Sequence, residues 1–173
     1  MKRLIFLLLL AAAFTACNDD DNAGYRFLDK NPFIEGGHLS GHNLHFYGTS
    51  TVRDAQGNLF TDNEAYFEFA GLDDICLYMH KTRFAAAMPG VEMRLRNVSY
   101  VPTGDVSLSF SEQELIPEAR RDNETGGGSS YVPVERYRIT GLEGSIDGVV
   151  CRVKFTCAGV YDVVYEGRLV EML

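Results

Sequence analysis

The sequence predicts an all-β protein, an antiparallel up-and-down barrel of about eight strands. Two observations carry that expectation. Segment after segment alternates apolar and polar residues with period two, the mark of a half-buried strand. The segments are joined by short or moderate connections, several marked by Gly, Asp or Asn, and no helical run of about 10–15 residues separates them, which argues against parallel βαβ units. The composition agrees, with 17 glycines, 12% aromatic residues and no tryptophan in 173 residues. Closing the meander into a barrel removes the sheet edges, and a two-sheet β-sandwich is the alternative.

The first segment reads as an address. Lys2 and Arg3 precede an unbroken apolar run, Leu4 to Ala13. A membrane span needs about 20 residues, so this run fits a signal peptide. Phe14-Thr15-Ala16-Cys17 then resembles a lipoprotein signal box. That resemblance implies cleavage before Cys17 and its lipidation; two or more acyl chains anchor stably where one is marginal. An ordinary secretory signal is the other reading. Asn18-Asp19-Asp20-Asp21-Asn22 follows and resembles the export signal of Bacteroidota surface lipoproteins. The implied location is the outer membrane, facing the cell surface, with a periplasm-facing anchor as the alternative. The expected organisation is residues 1–16 as signal peptide, 17–37 as lipidated acidic tether and 38–173 as barrel domain.

Removing residues 1–16 takes Lys2 and Arg3 from a formal net charge of -8, leaving -10. An acidic chain does not suit non-specific nucleic-acid binding. Of four cysteines, Cys17 goes to lipid, and Cys76, Cys151 and Cys157 remain.

Within the domain, Leu44 and Phe46 alternate with His45 and Tyr47, and a polar turn follows at Asp54 to Asn58. Phe67 and Phe69 then alternate with Tyr66 and Glu68, and Gly71 to Asp74 turns the chain. Ile75, Leu77 and Met79 alternate with Cys76, Tyr78 and His80; Val91, Met93 and Leu95 with Glu92, Arg94 and Arg96. Val106, Leu108 and Phe110 begin the next strand, and Tyr137 and Ile139 another. Asp147-Gly148 between β runs is the strongest hairpin signal. Cys151, Val153, Phe155 and Cys157 share an apolar face opposite Arg152 and Lys154. Six residues apart at about 3.3 Å each, those two cysteines lie about 20 Å apart and cannot pair. Buried thiols are expected for all three, with a bridge through Cys76 as the alternative. Val160 to Leu169 is the last strand. Three places break the pattern: Arg83 to Met88, read as a helical turn; Ser111 to Glu114, a capping-box pattern that Pro117 soon stops; and Glu118 to Ser130, a charged, then Gly-rich, flexible hairpin loop.

Arg83-Phe84-Ala85-Ala86-Ala87-Met88-Pro89-Gly90-Val91, Tyr137 to Ile146 and Val160 to Gly167 resemble a turn, the penultimate hairpin and the closing strand of the calycin-like β-barrel domain of Bacteroidota lipoproteins. The resemblance implies an eight-stranded calycin, lipocalin-like barrel and brings no activity with it.

No Gly-x-Ser-x-Gly, P-loop, His-Glu-x-x-His, Ser-x-x-Lys or EF-hand loop occurs, so neither an enzyme nor a cofactor is expected. His38, His42 and His45 are weak metal candidates. On a helix they would share a face and could hold Zn²⁺ or Cu²⁺, but Gly36, Gly37 and Gly41 oppose a helix. On a strand, His45 points away from the other two, and a polar edge strand at the barrel mouth is the preferred reading. Tyr47, Tyr78, Tyr161 and Tyr165 are candidates to line a ligand cavity or its rim, as are Phe67, Phe69 and Phe155 for the interior. Two functions are therefore carried forward. One is a lipid-anchored binding module for a small apolar or aromatic ligand. The other is a surface interaction or structural protein contacting an envelope protein or glycan through rim loops.

Overall fold

The computed structural model describes residues 24–122 and 127–173. The proposed signal peptide, Cys17, the acidic run at Asp19 to Asp21 and the loop residue Gly126 lie outside the described residues.

The chain is all-β. In order come β1 (Tyr25–Phe27), β2 (Ile34–Glu35), β3 (His38–Leu39), β4 (Leu44–Arg53), β5 (Leu59–Gly71), β6 (Ile75–Thr82) and β7 (Val91–Val98). Then follow β8 (Tyr100–Gly104), β9 (Ser107–Leu115), β10 (Glu118–Asp122), β11 (Ser129–Pro133), β12 (Ile139–Asp147), β13 (Val150–Cys157) and β14 (Tyr161–Met172). Twelve strands form one strongly curled antiparallel sheet, with β2 and β3 a separate hairpin. The sheet runs β11-β10-β7-β6-β5-β4-β14-β13-β12-β9-β8, and β1 pairs with the end of β14. The last long strand thus pairs with the first, Val163 opposite Val52 and Leu169 opposite Phe46. At the other extreme, β7 runs through Ser99 into β8; its first half pairs with β6 and its second with β9.

Fourteen strands stand where about eight were expected. The excess comes from short pieces. Residues 25–39 contribute three, the β7–β8 run is divided at Ser99, and the segment read as a hairpin loop at Glu118 to Ser130 contains β10 and the start of β11. That hairpin is held because Ala119 is buried opposite Met93, and Arg94 pairs with Glu118 at 2.6 Å. The capping box at Ser111 to Glu114 is strand within β9, paired with β12. Arg83 to Met88 is a turn, closed by the Met88 N–H on the Ala85 carbonyl at 3.0 Å, since Pro89 stops any helix. A short 3-10 turn at Glu135–Tyr137 was not anticipated.

The interior follows the apolar phase of each strand. Leu44, Phe46, Phe67, Phe69, Leu77 and Met79 are fully buried, as are Cys151 and Cys157. Tyr165 is buried too, its ring stacked on Phe67 with centroids 3.8 Å apart and its hydroxyl donating to the Phe46 carbonyl at 2.8 Å. Each end is covered. The β2–β3 hairpin buries Ile34 and Leu39 at one end, tied down by the Gly37 N–H on the Asp105 carbonyl and by the Asn31 amide on the Gly148 carbonyl. Phe84, in the β6–β7 turn, is buried at the opposite end. It is steered there by Arg83, which grips both oxygens of the Asp62 carboxylate at 3.0 and 3.1 Å.

All three described cysteines are free thiols. Cys76 lies half-exposed on the outer face and not in the core, because Ile75 and Leu77 take the inward phase of β6. Among the described residues, no helix is long and apolar enough to cross a membrane.

Candidate functional site

The outer face of the sheet carries a row of aromatic rings. Period two sends Phe46, Phe67 and Met79 inward, so Tyr47, Tyr66 and His80 point outward. Register then aligns them: Tyr47 opposes Tyr66, and Tyr66 opposes His80. Tyr47 and Tyr66 stack with centroids 4.5 Å apart and 2° between planes, and Tyr66 and His80 at 4.3 Å and 15°. Tyr25 of β1 stacks on the free face of Tyr47 at 4.2 Å. Tyr78 and, from β11, Tyr131 continue the row past His80, with the Arg94 guanidinium 4.3 Å over the Tyr131 ring. These spacings are close to the 4.7–4.9 Å between strands, so the rings stand upright and present their edges to solvent.

His80 is clamped between two carboxylates. Its Nε2 lies 2.9 Å from Glu68 and its Nδ1 3.0 Å from Glu92, and the ring is a quarter exposed. Burial alone would lower its pKa, but the Glu68 hydrogen bond and the Glu92 charge outweigh that, and the net shift is upward. The His80 hydrogen bond in turn holds Glu68 below its usual range against the opposing effect of burial. The charged form therefore donates from both nitrogens, bridging β5, β6 and β7. His45 behaves oppositely. Burial lowers its pKa, and its Nδ1 shares a hydrogen bond of 2.7 Å with the Tyr66 hydroxyl. Burial pushes Tyr66 well upward, so that hydroxyl keeps its proton.

Beside the row runs a groove of about 660 Å³. Two β-bulges shape it. On β5, Asn63 and Glu64 together oppose Thr49 of β4; on β6, His80 and Lys81 together oppose Glu92 of β7. All six of these residues line the groove. Lys81 has φ 45°, the left-handed region that a residue with a side chain rarely adopts, and its N–H is held by Glu92 at 3.0 Å. A bulge re-aims side chains that a regular ladder would bury in cross-strand pairs.

The candidate residues fare differently. Tyr47 and Tyr78, weighed for the interior, lie on the outer face. Tyr165, weighed as ligand-lining or rim, is a fully buried core residue, and Phe67, Phe69 and Phe155 are in the core with it. Tyr161 sits at one end of the sheet, stacked on Phe84 with 5.7 Å between centroids. A second groove of about 440 Å³, lined by Val52, Phe60, Phe84, Val160 and Tyr161, opens there. The three histidines are not brought together. His38 lies against Tyr100, His42 against Phe33, and His45 bonds Tyr66. Among the described residues no group of three or more His, Cys, Asp or Glu is arranged to hold a metal ion.

Comparison with protein-family models, curated proteins and solved structures gives no match to this chain. The outer row and its groove thus stand on their own geometry. Tyr66, His80, Glu68 and Glu92 were not singled out from the sequence as site residues. Their outward phase was visible there, but the register that stacks and pairs them was not.

Proposed function

We propose that the chain is a lipid-anchored, non-enzymatic binding module of the cell envelope that engages its ligand or partner on the outer face of a calycin-like eight-stranded barrel. The eight members are β4, β5, β6, the β7–β8 run, β9, β12, β13 and β14, whose neighbours pair in chain order and whose last member pairs with the first. Lipid at Cys17 would tie the module to the outer membrane, cell surface outward. The observation that carries the reading is the groove of about 660 Å³ beside the stacked Tyr47, Tyr66 and His80. Among the described residues the interior is filled by Phe46, Phe67, Phe69 and Tyr165, all buried. A second reading, a small apolar ligand, has the groove beside Phe84 and Tyr161 in its favour.

Native mass spectrometry of the protein from its own cells separates the two. A retained molecule lost in Tyr47→Asp but kept in Val160→Asp supports the outer-face reading. The reverse pattern supports the apolar ligand and overturns it. Anchoring is read separately, by palmitate labelling that Cys17→Ser must abolish.

A further inference from the structure

We infer that the groove on the outer face takes a neutral oligosaccharide; this rests on the outer face being the binding surface. Four features of the groove lead there.

The groove is built by two departures from regular pairing in adjacent strand pairs. Each bulge sets two residues against one, and all six line the same space. One of the six, Lys81, holds a left-handed backbone conformation that glycine would adopt without strain. Strained backbone persists where the surrounding structure over-determines it, and it clusters at ligand sites.

Six polar groups of the groove are unspent. Among the described residues, the hydroxyls of Tyr25, Tyr47 and Thr49, the Asn63 amide, the Glu64 carboxylate and the Lys81 ammonium make no side-chain hydrogen bond to the protein. Together they offer donors and acceptors in nearly equal measure. A sugar hydroxyl is both at once, so a polyhydroxyl ligand can meet every one of them. An apolar ligand would strip water from these groups and return nothing.

Charge narrows the class. Glu64, Glu68 and Glu92 set three carboxylates at or beneath the groove, which opposes phosphates, uronates and nucleic acid. Lys81 and a protonated His80 oppose a purely cationic ligand. A neutral ligand suffers neither repulsion.

The aromatic row also suits this chemistry. Its ring faces are occupied by one another, so a ligand meets ring edges and phenol hydroxyls. Ring edges carry the positive end of the quadrupole and favour oxygen atoms. The volume, about 660 Å³, falls inside the usual range for small-ligand sites.

The test uses the full chain in detergent, against immobilised neutral glucans, mannans, galactans and xylans, with uronate-containing polymers alongside. A neutral oligosaccharide should be retained. Asn63→Ala and Lys81→Ala should each weaken it by about tenfold, equal to about 1.4 kcal/mol, with the unfolding midpoint unchanged. Failure to bind any neutral oligosaccharide, wild-type affinity in both variants, or retention of uronates alone overturns the inference. A non-saccharide partner that is lost in Tyr47→Asp overturns the saccharide assignment and leaves the outer-face reading standing. A partner indifferent to Tyr47→Asp overturns both.

Discussion

Tyr165 and Phe67 lie face to face at 3.8 Å in the interior, although the strands that carry them are separated by β4. The Tyr165 side chain crosses under β4 and donates its hydroxyl to the carbonyl of Phe46 on that strand. One residue thus ties three strands together. Tyr165→Ala should destabilise by about 3–5 kcal/mol through the cavity it leaves. Tyr165→Phe keeps the stack and loses the hydrogen bond, about 0.5–1.5 kcal/mol. Urea unfolding of both variants measures the difference, and equal losses would show that the stack contributes nothing.

Gly48 is required where β4 meets β14. It pairs with Gly167, and a Cβ built on it would collide with the backbone carbonyl of Glu166. Backbone cannot swing aside as a side-chain tip can. Gly48→Ala should therefore cost about 1–3 kcal/mol, read as a lowered denaturation midpoint.

His80 makes stability depend on pH with a definite sign. Its folded pKa lies above the ordinary 6.5, so its contribution is complete below 6.5 and is lost as pH rises through the folded value. Glu68, held below its ordinary 4.5, contributes above 4.5 and loses that as pH falls through its own folded value. The clamp is strongest between those limits. His45, whose pKa is lowered, acts in the opposite sense to His80, favouring the fold as pH rises towards 6.5. The difference between wild type and His80→Gln isolates the clamp. Thermal unfolding should show the two converging as pH is raised above 6.5; a constant gap would mean that folding does not raise the His80 pKa.

The thiols should divide by burial. Burial raises Cys151 far above its ordinary value and pushes Cys157 up to about 12, and both are enclosed. Cys76 is raised as well, chiefly by burial, yet it is half-exposed. A disulfide reagent at neutral pH should label Cys76 first and reach Cys151 and Cys157 only on unfolding. Peptide mapping of the labelled sites checks the order.

The alternation along each strand was enough to place Phe46, Phe67, Leu77, Met79, Cys151, Val153 and Phe155 in one core, because side-chain direction in a strand is a local property with period two. The Asp147-Gly148 hairpin was legible for the same reason, although the two loop residues turn out to be Gly148 and Val149. What local pattern leaves open is register and partner. Nothing near Tyr47 in the chain says that it faces Tyr66, or that Tyr66 in turn faces His80. A one-residue slip would send each to the other side of the sheet. The phase of Tyr165 was readable from β14, yet its role as a strand tie needed the fold, since Phe67 and Phe46 lie about a hundred residues away. The groove is further still from the sequence. It exists because two bulges fall side by side, and a bulge follows from the competition between neighbouring ladders, which only the assembled sheet resolves.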